Sequence, residues 1–359
     1  MTRVCFFGAY DPDYPRNRIL RTGLELAGLE VVEARVEEHR AFRRYPALMR
    51  AFGWIKDRAD VLLVPEFRHK DVPLAHHLKG RRPLVFDPLI SRHDTLVGDW
   101  ALHREGSAQA RWNRRIDRWA LGLADRVLCD TWAQGALYVS LGAPRARLSR
   151  VLVGAEDDFF AVEPPPSAGP VRIVYVGGFL PLHGVLTVIE AAARLERDQA
   201  RLPDYRIDLV GSGIQYTEAR ALAARLGLRR LELAGPIPYA EAPRALGRAH
   251  VVLGAFGVTE KAGRVIPHKV YQGLAAGRAV VTGIGPGLLE VFAPGTHLAT
   301  VPRGDAEALA GTLAELIACP EQRRQLAERG RERALEIGTP ERVGESLRAA
   351  IEGCPEPMP

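Results

Sequence analysis

The sequence predicts an α/β protein built from two doubly wound, Rossmann-like halves, and three features predict it. A short apolar run, Val4 to Gly8, is followed by a loop, a helical stretch and a second apolar run at Val31-Val32. The same order restarts at Val171 to Val176. Between the two, Glu163-Pro164-Pro165-Pro166-Ser167-Ala168-Gly169-Pro170 is the clearest linker of the chain, proline-rich and poor in apolar side chains. Strands that alternate with helices give parallel sheets covered on both faces.

Length and composition agree with this reading. A chain of 359 residues exceeds one comfortable core, so two domains are expected. With 47% hydrophobic and 26% charged residues it is a folded globular protein. No uninterrupted apolar run approaches the roughly 18 residues that span a bilayer. The N-terminal apolar run is too short for a signal peptide. Cys5, Cys129, Cys319 and Cys354 are scattered and form no C-x-x-C pair, which disfavours structural zinc and points to a reducing cytoplasm. The net charge of +6, carried mostly by Arg, suits an anionic ligand or the anionic inner face of a membrane, and equally a high-Arg proteome. No zinc finger, RNA-binding aromatic signature or helix-turn-helix pattern is present, so nucleic acid is not an expected partner.

In the first half, the loop Ala9 to Arg16 leads into a helix from about Asn17 to Ala27, with Ile19, Leu20, Leu24 and Leu26 near helical spacing. Gly8 is the only glycine of that loop, so no dinucleotide fingerprint forms there. Residues Glu37 to Arg58 are helical, basic and aromatic, either packed on their own domain or facing a membrane, with Tyr45-Pro46 breaking the pattern. The runs Val61 to Val64 and Leu84 to Phe86 are buried strands. Their following loops carry Glu66, Arg68, His69 and Asp71, and then Asp87, His93, Asp94 and Thr95. Ligands of open α/β sheets sit at the carboxyl ends of strands, so these two loops are the site candidates of the first half. A helix over Ala108 to Leu121, a strand at Arg126 to Cys129, a helix capped by Asp130-Thr131 and a last strand, Leu148 to Val153, complete it.

In the second half, the turn Gly177 to Gly184 precedes a helix over Val185 to Leu195, and Gly211-Ser212-Gly213 follows the strand Ile207 to Val210. Tyr216 stands where a third fingerprint glycine would be, which leaves this turn a weak phosphate motif. A helix Tyr216 to Leu226, a strand Leu231 to Ala234 and a helix Ala240 to Gly247 lead to the strand Val251 to Leu253. A charged loop with Glu260, Lys261 and Arg264 follows, then a helix from about Pro267 to Ala276 and the strand Ala279 to Val281. Free N–H groups at a helix start beside Arg264 and Lys269 make a site for a multiply charged anion; the alternative is an ordinary strand-loop-helix with solvated charges. Two Ala/Leu/Arg-rich helices end near Ile351, and the tail from Glu352 to Pro359 is expected to be loose. The expected domains are 1–163 and 164–340. Residues 341–359 form a last helix, with packing back on the first domain left open, and the tail. A cleft between the domains is the expected ligand site.

Five segments in order, VLVGAEDDFF, VYVGGFLPLHGVLTVIEAAARL, LVGSG, LELAGPIPYAEAPRALGRAHVVL and the stretch from Leu253 to Gly283, resemble the family-4 glycosyltransferases of the GT-B fold. The resemblance covers most of the chain. It implies retaining transfer of a sugar from a nucleotide-diphosphate sugar to a hydroxyl acceptor (a glycan, glycolipid or small glycoside), normally without a metal or any cofactor. It places the donor mainly on the second domain and a sugar-containing or lipid-linked acceptor mainly on the first. The leaving group is a nucleoside diphosphate, so cations aimed at it stabilise the transition state more than the ground state.

This chain departs from the family at the phosphate site. The usual Arg and Lys of the first turn are replaced at Gly178-Phe179 and His183, and the paired glutamates fall on Arg264 and Gln272. The resemblance thus implies a moved clamp of Arg264 and Lys269, with Gln272 on the ribose, His183 positioned near the diphosphate, and Gly8, Gly178, Gly211, Gly213, Pro236 and Ile237 as further donor contacts. On the acceptor side it implies Asp87 as the group that accepts the hydroxyl's proton or orients the donor sugar, with a turn Asp before Pro88 as the alternative. Arg16, His69, Asp71, His93 and Asp94 are the expected acceptor contacts. A nucleotide-sugar epimerase of the same fold and a non-catalytic sugar-nucleotide-binding subunit are the competing readings. An NAD-dependent oxidoreductase fits worst, because neither half has an intact fingerprint.

Overall fold

Runs such as RVCFFG and VLLV are apolar on both faces because helices cover both sides of the sheet they form. The computed structural model describes residues 1–38, 40–197, 202–354, 356 and 358. It divides into one unit of Met1–Val153 with Pro340–Pro359 and a second of Gly154–Thr339. In the first, β1 (Arg3–Gly8), α1 (Pro15–Leu26), β2 (Glu30–Arg35), α2 (Ala41–Ile55), β3 (Val61–Val64) and α3 (Val72–Leu78) are followed by β4 (Leu84–Phe86), α4 (Ala108–Leu123), β5 (Arg126–Cys129), α5 (Trp132–Ser140) and β6 (Leu148–Arg150). The sheet is parallel throughout, in the order β2-β1-β3-β4-β5-β6. Cys5, Phe7, Leu62 and Val64 pack on one face; Val4, Phe6, Val61 and Leu63 pack on the other. The chain reverses direction across the sheet between β1 and β3, so a crevice opens at their carboxyl ends.

The second unit repeats the plan. Here α6 (Asp157–Phe160), β7 (Val171–Val176), α7 (Val185–Arg197), β8 (Tyr205–Val210), α8 (Tyr216–Leu226), β9 (Leu231–Gly235), α9 (Ala242–Gly247) and β10 (Val251–Leu253) come first. Then follow α10 (Glu260–Arg264), α11 (His268–Ala275), β11 (Ala279–Gly283), α12 (Pro286–Leu289), β12 (Ala299–Val301), α13 (Ala306–Ala318) and α14 (Pro320–Ile337). The sheet order is β12-β11-β10-β7-β8-β9, again all parallel, and the reversal falls between β7 and β10.

The last helix, α15 (Pro340–Glu352), belongs to the first unit. Val343, Leu347 and Ala350 join Ile19, Leu20 and Leu24 of α1 in one cluster. The two helices meet at glycines: a Cβ on Gly344 would lie 1.9 Å from the Gly23 carbonyl oxygen. The tail expected to be loose places Glu356 in a 2.8 Å ion pair with Arg150, while its positions 355, 357 and 359 lie outside the described residues.

Other sequence expectations need correction. Pro46 does not interrupt α2, which runs on through it. The carbonyl four residues back belongs to Phe42, 69% exposed, so the hydrogen bond lost to the ring is lost at the surface. The loop holding Glu260 to Arg264 is helical, because the Thr259 hydroxyl accepts from the Ala262 N–H and caps it. The proline-rich stretch is no free linker: the Arg278 guanidinium donates to the Glu163 carbonyl, and His250 Nε2 lies 2.9 Å from the Pro166 oxygen. The second unit begins before it, at Gly154, because the Ala155 N–H donates to the Gly338 carbonyl at 2.9 Å and Arg331 to that of Phe160 at 2.7 Å.

Candidate active site

The second unit builds its site where β7 and β10 end. Tyr175, on the core side of β7, packs edge-on to Phe179 and donates its hydroxyl hydrogen to the Gly178 carbonyl at 2.5 Å. His183 Nδ1 also contacts that carbonyl, which fixes Nδ1 as the protonated nitrogen. The loop after β10 closes against this turn: the Phe256 and Gly257 N–H groups donate to the His183 and Leu182 carbonyls at 3.0 and 3.1 Å. Gly184, at φ +63°, leaves no room for a side chain, since a Cβ there would lie 2.5 Å from the Gly257 nitrogen.

Lys269 enters this crevice from the first turn of α11. Its side chain is buried, its Nζ lies 3.8 Å from the centre of the Tyr175 ring, and no hydrogen-bond acceptor reaches it among the described residues. A Cβ on Gly177 would lie only 2.8 Å from Nζ, so glycine is what admits the ammonium. Burial pushes the Lys269 pKa well below that of an ordinary lysine. Burial also pushes His183 well below the usual imidazole range, reinforced by the ammonium groups of Lys269 and Lys261. His183 is therefore neutral at pH 7. The ring face of Tyr175 supplies part of the field a buried cation needs, and an anionic ligand would supply the rest.

The neighbouring turn is equally tight. Gly211, at φ +144°, sits where a Cβ would be 1.9 Å from the Gly177 carbonyl oxygen. Gly213 carries the same restriction against Phe179, whose N–H donates to the Ser212 carbonyl at 2.8 Å. The two glycine turns thus form one backbone surface.

The other expected donor residues lie differently. Arg264 is on α10 and pairs with the exposed Glu260 at 3.4 Å. Gln272 is buried and donates to the Tyr239 hydroxyl at 2.7 Å; that hydroxyl in turn reaches both Glu156 oxygens at 2.7 and 2.8 Å. The chain Gln272–Tyr239–Glu156 was not read from the sequence, because its members lie far apart along the chain. Pro236 is exposed and Ile237 half-buried, in the loop after β9.

In the first unit, most of the expected acceptor residues turn inward. Asp87 and Arg16 are each 1% exposed and form an ion pair at 2.8 Å. Arg16 also donates to the carbonyls of Leu152 and Val151. Asp87 therefore fastens α1 to the sheet. Asp71 pairs with Arg44 at 2.9 Å and accepts from the Ala9 N–H, just after Gly8 at φ +145°. His69 lies edge-on to Phe86 and 3.2 Å from Asp117; burial lowers its pKa to about 4. Asp117 also accepts from the Ser91 hydroxyl and from the N–H groups of Arg92 and His93. His93 and Asp94 are half-buried, His93 pairing with Glu105 at 3.3 Å.

Glu66, beside these residues, was not singled out as a site residue. It is 5% exposed, and burial raises its carboxyl to about 8. A carboxyl protonated near neutral pH at a strand's carboxyl end is a recurrent feature of sites, and its position right after an apolar strand was the only sequence signal. Among the described residues no group of three or more His, Cys, Asp or Glu side chains is arranged to hold a metal ion.

Comparison with known proteins bears on the second unit. Residues 157–333 match the family "Glycosyl transferases group 1". That match lies within the second unit. No curated protein matches the chain in sequence. Among solved structures, sucrose-phosphate synthase from Thermosynechococcus elongatus superposes with a TM-score of 0.75 at 17% identity, covering 98% of each chain. Anabaena HepE in complex with UDP gives 0.72 at 15%, covering 98% of this chain and all of that one. The apo form of the lipopolysaccharide outer core galactosyltransferase WaaB gives 0.65 at 13%, covering 98% and 99%. At such identities the likeness is one of fold, and the fold is GT-B. Within the matched segment, the Lys269 crevice and the turn after β7 lie at the β7/β10 reversal, where doubly wound sheets hold their ligands, and the turn after β8 lies beside them.

Proposed function

We propose that the protein is a retaining glycosyltransferase whose second unit binds a nucleotide-diphosphate sugar, with Lys269 as the cation that receives the diphosphate. The observation that carries this is the Lys269 ammonium: buried, without an acceptor, and set against Gly177 over the Tyr175 ring. Such a charge is costly unless a ligand anion completes it. The nearby Lys261 adds to the positive field, and the first N–H groups of α11 favour negative charge at the same end. Anabaena HepE was solved with UDP and with UDP-glucose, which makes UDP the nucleotide to try first.

In the reaction proposed, the bond from the anomeric carbon to the β-phosphate oxygen breaks as the acceptor oxygen bonds to that carbon on the same face. The acceptor's proton passes to the departing phosphate oxygen, so no strong side-chain base is required. Lys269 stabilises the charge that grows on the diphosphate more than it stabilises the intact donor. The acceptor is assigned to the first unit. Its α2 exposes Phe42, Met49 and Trp54 beside Arg43 and Arg50, a face suited to peripheral contact with an anionic membrane. No helix among the described residues is long and apolar enough to cross one.

The test is a thermal-shift series with UDP, GDP, dTDP and ADP, followed by turnover of the matching sugar nucleotide with and without acceptors. A ligand at a hundred times its Kd adds about 2.7 kcal/mol of stability. Absence of any nucleotide-dependent shift would remove the proposal, and conversion of the donor without an acceptor would assign the site to an epimerase.

A further inference from the structure

Four cations gather near the carboxyl ends of β3 and β4. Arg44 reaches this region from α2, Arg68 and Lys70 from the loop after β3, and Arg92 from the loop after β4. They sense one another. Arg92 is depressed by burial and, despite Asp117, by Arg68 and Arg44; Lys70 is depressed by burial and then by Arg92 and Arg44. The carboxylates nearby are already engaged. Asp71 serves Arg44 and the Ala9 N–H, and Asp117 serves Ser91 and two backbone N–H groups. Burial pushes the Glu66 carboxyl up to about 8, against the pull of Arg68, which weakens it as a counter-charge.

Two guanidinium groups keep donors in reserve. The Arg68 Nε is buried and has no hydrogen-bond acceptor among the described residues, while the stem of the side chain lies 3.7 Å from the Cβ position of Gly8. Arg92 is held from behind by Asn113 at 3.2 Å and lies 4.9 Å over the Phe67 ring, yet its buried Nε also lacks an acceptor. The backbone beneath is strained. Phe67 (φ +57°) and Leu89 (φ +55°) are non-glycine residues in the left-handed region, in loops joined by the Phe67 N–H to the Pro88 carbonyl at 3.2 Å. Strain of this kind persists where surrounding structure enforces it, often at ligand sites.

We propose that Arg68 and Arg92, with Arg44 and Lys70 adding field, form a phosphoryl-binding site, so that the acceptor carries a phosphate group. Two forks arriving from different loops suit the several oxygens of a phosphate better than the two coplanar oxygens of a carboxylate. The proposal rests on the reading of the second unit as the donor site, which leaves the first for the acceptor. The phosphate belongs either to a soluble sugar phosphate or to a lipid headgroup.

The experiment titrates the full-length protein with glucose 6-phosphate by calorimetry at low salt, as wild type, Arg68→Ala, Arg68→Lys, Arg92→Gln and Lys269→Ala. Melting curves confirm that each variant is folded, and Arg68→Lys keeps the charge while removing the fork. Phosphate binding weakened at least tenfold by Arg68→Ala and by Arg92→Gln, less by Arg68→Lys, and retained in Lys269→Ala, supports the site. Co-sedimentation with phosphatidylcholine vesicles, with and without phosphatidic acid, assigns the source. Phosphatidic-acid-dependent binding that Arg68→Ala removes indicates a lipid headgroup, and a loss confined to the soluble probe indicates a sugar phosphate. Equal binding by wild type and Arg68→Ala, binding abolished by Lys269→Ala, or no binding of either probe overturns the proposal. A failure of the donor reading looks different: UDP then leaves the wild-type melting temperature unchanged while phosphate binding in the first unit persists.

Discussion

The Lys269 ammonium lies 3.8 Å from the centre of the Tyr175 ring, with Gly177 on its flank and no acceptor within hydrogen-bond reach among the described residues. Folding tolerates this charge rather than profiting from it. Replacing Lys269 with Met is expected to leave the unliganded protein as stable as the wild type or about 1–2 kcal/mol more stable. The same change should remove the nucleotide-induced shift and lower kcat/KM for the sugar nucleotide at least a hundredfold. Melting with and without UDP measures both; a variant that loses stability and keeps its nucleotide response would contradict the assignment.

Arg264 has a weaker claim. Its ion pair with Glu260, itself 92% exposed, contributes little. If Arg264 grips the diphosphate once a donor binds, Arg264→Ala raises KM or lowers kcat tenfold or more in the folded protein. Near-normal kinetics would leave Lys269 without its expected companion.

Asp87 and Arg16 separate structure from chemistry. Breaking a buried ion pair by removing one partner costs about 3–5 kcal/mol. Asp87→Asn should therefore lower the denaturation midpoint sharply, and any loss of activity should follow the folded fraction. Full stability with abolished transfer would restore Asp87 to a catalytic role.

Glu66 predicts a pH dependence of stability. Its carboxyl titrates near 8 when folded against the ordinary 4.5, so between those values the folded protein holds a proton that the unfolded chain releases. This contribution is fully present below about 4.5 and is lost as pH rises through about 8. Glu66→Gln should flatten the decline, with the variant gaining on the wild type from pH 6 to pH 9. Parallel melting curves for the two proteins across that range would refute the buried, protonated carboxyl.

Gly344 and Gly211 test close approach. At Gly344 a Cβ would lie 1.9 Å from the Gly23 carbonyl oxygen, and at Gly211 a Cβ would lie 1.9 Å from that of Gly177. Each Ala variant should lose about 2–4 kcal/mol. Only Gly211→Ala should also disturb nucleotide binding in the fraction that remains folded.

Strand positions, the repeat of the α/β plan and the glycine turns were legible in the chain because they rest on local rules: apolar runs, caps and left-handed turns. Lys269 could be singled out the same way, as a cation in the first turn of a helix. Contacts between distant segments set the rest. Whether Asp87 faces a ligand depends on where Arg16, 71 positions away, directs its guanidinium. Whether Gln272 is available for a ribose depends on Tyr239 and Glu156. Whether a row of arginines is solvated or held in one cluster depends on which loops the sheet order makes neighbours. Local sequence fixes backbone conformation through short-range sterics and hydrogen bonds; only packing decides which charges lose their water, and with it which of them need a ligand.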